Sequence, residues 1–140
     1  MYRYLAALSL TVAVVLAAGC SGNEADDATA TTSTGVPAAR LVGVDEFAAR
    51  LEDPDVVVVN VHVPDEGNLP DTDVSIPFDE ISESDALPAD LDTPLAVYCK
   101  SGNMSADAVA DLAALGYTDV VELDGGFDAW VDAGRGLLNS

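Results

Sequence analysis

The run Val56-Val57-Val58-Val59-Asn60-Val61 constrains the fold more than any other feature of the chain. β-Branched side chains lose rotamer freedom in a helix and favour extended backbone. Asp53-Pro54 before the run and Pro64 after it bound it as a strand. A strand that is apolar throughout, rather than alternating, belongs in a parallel sheet covered on both faces. Leu95-Ala96-Val97-Tyr98 and Val120-Val121-Glu122-Leu123 read as two more short buried strands, and Val74-Ser75-Ile76 as a weaker fourth.

Three helices fit around these strands. Asp45 is placed to cap a helix whose Phe47, Ala48 and Leu51 share a face and which ends before Pro54. Residues 104–115 set Val109, Leu112 and Ala113 on one face and Asp107 and Asp111 on another, with Gly116 as terminator. Phe127, Trp130 and Val131 form the stripe of a third helix that stops at Gly134. Strands alternating with helices predict a three-layer α/β domain with a mainly parallel sheet. A length of 140 residues allows one ordinary domain, expected over residues 40–138, and no internal repeat is visible.

The N-terminus has a different character. Arg3 precedes an apolar run from Leu5 to Ala18, which ends in Leu16-Ala17-Ala18-Gly19-Cys20. A stretch this short, with a cation before it and small residues after it, reads as a secretory leader over residues 1–20 rather than a membrane span. Its last residues resemble the lipobox of bacterial lipoproteins, which implies that Cys20 is acylated and becomes the mature N-terminus. The plainer alternative is an ordinary cleaved leader with an incidental Cys. Residues 21–39 are Ser, Thr, Ala, Gly and acid without periodic apolar positions, as expected of a flexible tether. The expected location is therefore the outer face of the cell membrane, with multi-chain acylation as the anchor.

Charge narrows the partners. Five Lys+Arg against 25 Asp+Glu argue against nucleic acid, because no basic patch can neutralise phosphates. Loss of Arg3 with the leader takes the five cations to four and the charge to about −21, so anionic lipid would repel the domain and the anchor must be covalent. Two distant cysteines and one His build neither a disulfide framework nor a metal site. Gly102, Gly125 and Gly126 fit no dinucleotide fingerprint, so no cofactor is expected, and nothing requires a partner chain, so the domain is read as a monomer.

Chemistry concentrates in Cys99-Lys100-Ser101-Gly102-Asn103-Met104-Ser105. Ligands of parallel α/β sheets bind where a strand ends and its helix begins, and this segment lies there. A thiol in that position faces free backbone N–H groups and the positive end of the helix dipole, which stabilise a thiolate and any anion attached to it. Gly102 permits the positive φ that lets successive amides converge, and Lys100 adds the local cation. Such surroundings lower a Cys pKa from about 8.5 to roughly 3.5–7.5. Cys99 is thus the expected nucleophile. A buried structural Cys is the bland reading, but Lys-Ser-Gly-Asn is poor core material.

The segment Tyr98-Cys99-Lys100-Ser101-Gly102-Asn103-Met104-Ser105-Ala106 resembles the active-site loop of rhodanese-domain sulfurtransferases. Leu123-Asp124-Gly125-Gly126-Phe127-Asp128-Ala129-Trp130 with Gly134 is similar to that family's C-terminal signature. Val59 to Pro64 resembles its early strand end, and Gly67-Asn68-Leu69-Pro70 to Ile76-Pro77 resembles its next loop. The resemblance covers about residues 41–138. It implies a five-stranded rhodanese-like fold in which Cys99 carries a persulfide. Sulfane sulfur would pass from a small sulfur-containing donor to a thiol or cyanide acceptor, cradled by Lys100, Ser101, Gly102, Asn103 and Met104.

Asn60 and His62 stand where the family has Asp and Arg, and Met104 stands where the loop often closes with Arg. His62 is read as a structural residue. The missing cations and the acidic surface predict weak thiosulfate turnover that improves with salt. A cysteine phosphatase would need Arg at position 105, where this chain has Ser, so phosphate chemistry is disfavoured. The rival from another class is a thiol module at the cell surface that senses redox state or binds sulfur without turnover.

Overall fold

The computed structural model describes residues 39–138. The predicted leader, Cys20 and the tether up to residue 38 lie outside the described residues. Five strands, β1 (Ala39–Val42), β2 (Val57–Asn60), β3 (Val74–Ser75), β4 (Leu95–Tyr98) and β5 (Val120–Leu123), form one sheet in the order β1-β5-β4-β2-β3. Every neighbouring pair is parallel. Helices α1 (Val44–Leu51), α2 (Asn103–Leu115) and α3 (Gly126–Asp132) cover it, with a short 3-10 turn at Ile81–Glu83. This is the α/β architecture that the apolar strands require.

Successive strand residues point to opposite faces, and the core splits accordingly. Val59, Val97 and Val120 pack with Ile81, Val109 and Leu112 under α2, while Val58, Ala96 and Val121 pack with Phe47, Phe127 and Trp130 under α1 and α3. Register then sets the working edge. Val59 lies opposite Val97, and Val97 opposite Glu122, so the carboxyl ends of β2, β4 and β5 lie side by side with Cys99 just beyond β4.

Three local expectations need correction. Gly43, not Asp45, is the N-cap of α1; its carbonyl accepts the Phe47 N–H at 2.9 Å, and Asp45 lies in the first turn, where it accepts Arg135 instead. Ala113 is exposed, and the inner face of α2 is Ser105, Ala108, Val109 and Leu112. Val131 is 47% exposed, leaving Phe127 and Trp130 as the buried stripe of α3. The first strand, β1, carries no clear pattern in sequence because only Val42 of its four residues is buried.

Candidate active site

Cys99 follows the last residue of β4, and Gly102 caps α2 with φ 99°. That left-handed residue turns the chain within three positions, so the Gly102 N–H donates to Cys99 Sγ at 3.1 Å. Ser105, in the first turn of α2, places its Oγ 3.4 Å from the same sulfur. The opening amides of α2 have no intrahelical acceptor, and the helix dipole adds positive potential at this end.

The loop is held from its far side by the glycine pair at the head of α3. Phe127 N–H donates to the Cys99 carbonyl at 2.9 Å and Asp128 N–H to the Lys100 carbonyl at 3.0 Å. These bonds turn the loop carbonyls toward α3 and leave the opposite side of the peptide units for the sulfur. The approach is so close that a Cβ on Gly126, whose φ is +60°, would lie 2.4 Å from Cys99 O and Lys100 O.

Tyr98 and Asn60 fix the neighbouring loop. Tyr98 Oη accepts the Leu69 N–H at 3.0 Å and lies 2.8 Å from Thr72 Oγ1. Buried Asn60 donates to Asn68 Oδ1 at 2.9 Å and accepts the His62 N–H at 2.9 Å. A neutral Asn can both donate and accept here, which a carboxylate could not.

The cation is placed differently from the sequence expectation. Lys100 Nζ ends on Glu66 Oε1 at 3.0 Å, and Glu66 Oε2 lies 2.6 Å from His62 Nε2. The His62 hydrogen bond, followed by that of Lys100, holds the Glu66 carboxyl below its ordinary range, and the Glu66 bond raises the Lys100 ammonium. Glu66 therefore compensates Lys100 at the rim, and support for a thiolate falls mainly to the amides and the dipole. Nothing in the local text around Cys99 marks Glu66, which arrives through the 62–68 loop.

Ser101 and Asn103 are exposed, and Gly102 and Met104 are half-buried. Cys99 itself is 1% exposed, and Met104 packs against the core cluster that contains it. The thiol thus lies inside the loop rather than on its surface. Sequence reasoning also missed Glu122. This acid is only 8% exposed on β5, and it accepts the Ser105 Oγ–H at 2.7 Å. Its signal was available, as a lone carboxylate inside an otherwise apolar strand. Among the described residues no cluster of metal-ligating side chains occurs.

The sheet order, the Cys loop and its docking on a Gly-Gly helix start can be set against known proteins. The model of the rhodanese-like domain matches residues 43–133. The chain belongs to the rhodanese-like domain family. Thiosulfate sulfurtransferase GlpE of Pseudomonas fluorescens is 42% identical over 86 residues, which cover 61% of this chain and 79% of that protein. The GlpE of Pseudomonas syringae is 39% identical over 89 residues, covering 61% and 81%. A rhodanese-related protein from Thermoplasma volcanium superposes with a TM-score of 0.61 at 27% identity, over 72% of this chain and 99% of that one. The fold is rhodanese-like, and these relationships support a sulfurtransferase-type function for the domain.

Proposed function

We propose that this rhodanese-like domain carries sulfane sulfur as a persulfide on Cys99 and hands it to a nucleophilic acceptor. The Cys99 thiolate attacks the outer sulfur of a small donor such as thiosulfate. A new S–S bond forms, and the donor's S–S bond breaks with its electron pair leaving on sulfite. An acceptor thiolate or cyanide then attacks the terminal sulfur, and the pair of that S–S bond returns to Cys99. The observation that carries this reading is the Gly102 N–H on Cys99 Sγ, backed by the α2 dipole. Ser101, Asn103 and Met104 complete the cradle, and the amide groups of residues 100–104 are the persulfide's expected partners.

The test is incubation of the full chain with thiosulfate, followed by intact-mass measurement. One added sulfur atom that cyanide removes, and that Cys99→Ser abolishes, is the expected result. A second reading, a redox-sensing thiol without turnover, shares the amide-supported sulfur but needs an accessible one, and the 1% exposure of Cys99 weighs against it. Only oxygen or glutathione adducts in the same assay would establish it. The N-terminal residues extend the proposal to an exported monomer held to the membrane by lipid on Cys20. Labelled fatty acid entering the wild type and not Cys20→Ala tests that extension.

A further inference from the structure

The buried carboxyl of Glu122 has no part in the chemistry above, yet one hydroxyl separates it from the reacting sulfur. Ser105 Oγ lies 3.4 Å from Cys99 Sγ, 2.7 Å from Glu122 Oε1 and 3.1 Å from the Gly102 carbonyl. Ser105 is fully buried. A hydroxyl carries one proton and two lone pairs, so it serves one acceptor at a time. An ionised Glu122 at 2.7 Å is the strongest of the three acceptors. Ser105 then donates to the carboxylate, and its oxygen is left to accept the Cys99 S–H. If Cys99 ionised while Glu122 remained ionised, two anions would compete for a single proton in a site largely closed to water.

We infer that Glu122 stores the proton of Cys99, acting through Ser105 as a positioning residue that sets the charge of the nucleophile. The proposal deepens the sulfur-carrier reading of Cys99 and rests on it. When the S–H bond breaks, its proton passes to Ser105 Oγ, while the Ser105 proton passes to Glu122 Oε1. The product is a thiolate that accepts from Ser105, whose oxygen accepts from the Glu122 acid. Charge is conserved across the array, and no co-reactant is needed. The proton stays on Glu122 while Cys99 holds the persulfide, and the thiolate that the acceptor releases returns to the same partner.

The surroundings favour a protonated Glu122. Burial raises its carboxyl above the ordinary range, the Ser105 bond opposes this, and the charge of Asp124 adds to the rise. From β4 it lies opposite Val97, and from β1 opposite Leu41. From α2 it meets Ser105, while Asp107 and Asp111 of that helix are exposed. Arg40 on β1 is engaged with Glu46 at 2.9 Å, and Lys100 with Glu66. Among the described residues no cation is recorded against Glu122.

The experiment follows Cys99 alkylation by a small neutral reagent across pH in the full chain and in Glu122→Gln. Interacting groups titrate as a pair. The wild type is expected to show two inflections, and Glu122→Gln a single one, with alkylation at neutral pH changed at least about tenfold, or one pH unit. Infrared titration of the wild-type chain needs no variant. The buried-acid carbonyl band should persist to a pH about one unit or more above that found once Cys99 is blocked. Superimposable single-step profiles, or a band unmoved by blocking Cys99, would overturn the proton store. Such a failure, with a normal sulfur adduct on Cys99, leaves the carrier function intact; absence of the adduct removes the carrier reading itself.

Discussion

Gly126 and Met104 show how single side chains govern this loop. An added methyl at Gly126 would meet two carbonyl oxygens at 2.4 Å in a backbone with φ +60°. Neither oxygen can yield, because both accept the amides that dock the loop on α3. Gly126→Ala is expected to cost about 2–4 kcal/mol in chemical denaturation and to abolish the sulfur adduct. A smaller loss with full sulfur loading would show that the loop does not depend on this contact. Met104 packs against the cluster that holds Cys99, which is 1% exposed. Met104→Ala should therefore speed alkylation of Cys99 by bulky reagents more than by small ones, and equal rates would mean that access lies elsewhere. The Cys loop was legible because its residues are contiguous. Glu66 was not, because it reaches the site only through the fold; Glu122 stood out as a lone acid in a buried strand, but its place beside Ser105 comes from the fold alone.

The elements were legible in proportion to their burial. Strands β4 and β5 are buried at every position and read as apolar runs, broken only by Glu122 in β5. The edge strand β1 has one buried residue in four, so its text looks like the tether before it. The cap of α1 went to Gly43 because its backbone carbonyl meets Phe47, leaving the nearby Asp45 free to pair with Arg135. A similar logic makes Tyr98 more than a core aromatic. Its hydroxyl joins β4 to the 67–72 loop through Leu69 N–H, Thr72 Oγ1 and Asn68 Oδ1. Tyr98→Phe leaves the buried Leu69 N–H unpaired, a loss of about 1–3 kcal/mol. Denaturant titration should show that loss with the sulfur adduct retained. An unchanged midpoint would mean that other bonds hold the loop.

At the scale of the whole molecule, acidity works against both substrate and fold. With 25 Asp+Glu against five Lys+Arg, and Lys100 already compensated by Glu66, an anionic donor approaches an unfavourable field. Raising salt from about 0.1 M to 1 M shortens the screening length from about 10 Å to about 3 Å, so thiosulfate turnover should rise a few-fold; a fall would indicate that local cations dominate. Glu122 gives stability its own pH dependence. Its carboxyl is raised in the folded chain, so between the ordinary value of 4.5 and the raised folded value the native state binds more protons than the unfolded one. Stability then declines as pH rises through that window, since its slope follows the protons bound in the unfolded state minus those bound in the native. Glu122→Gln has no such proton. The Gln variant should match the wild type most closely below pH 4.5, gain on it as pH rises through that window and keep a constant advantage above it, as read from unfolding midpoints at matched salt. A constant difference at every pH would show that Glu122 ionises in the folded protein as freely as in the unfolded chain, and that its burial carries no electrostatic cost.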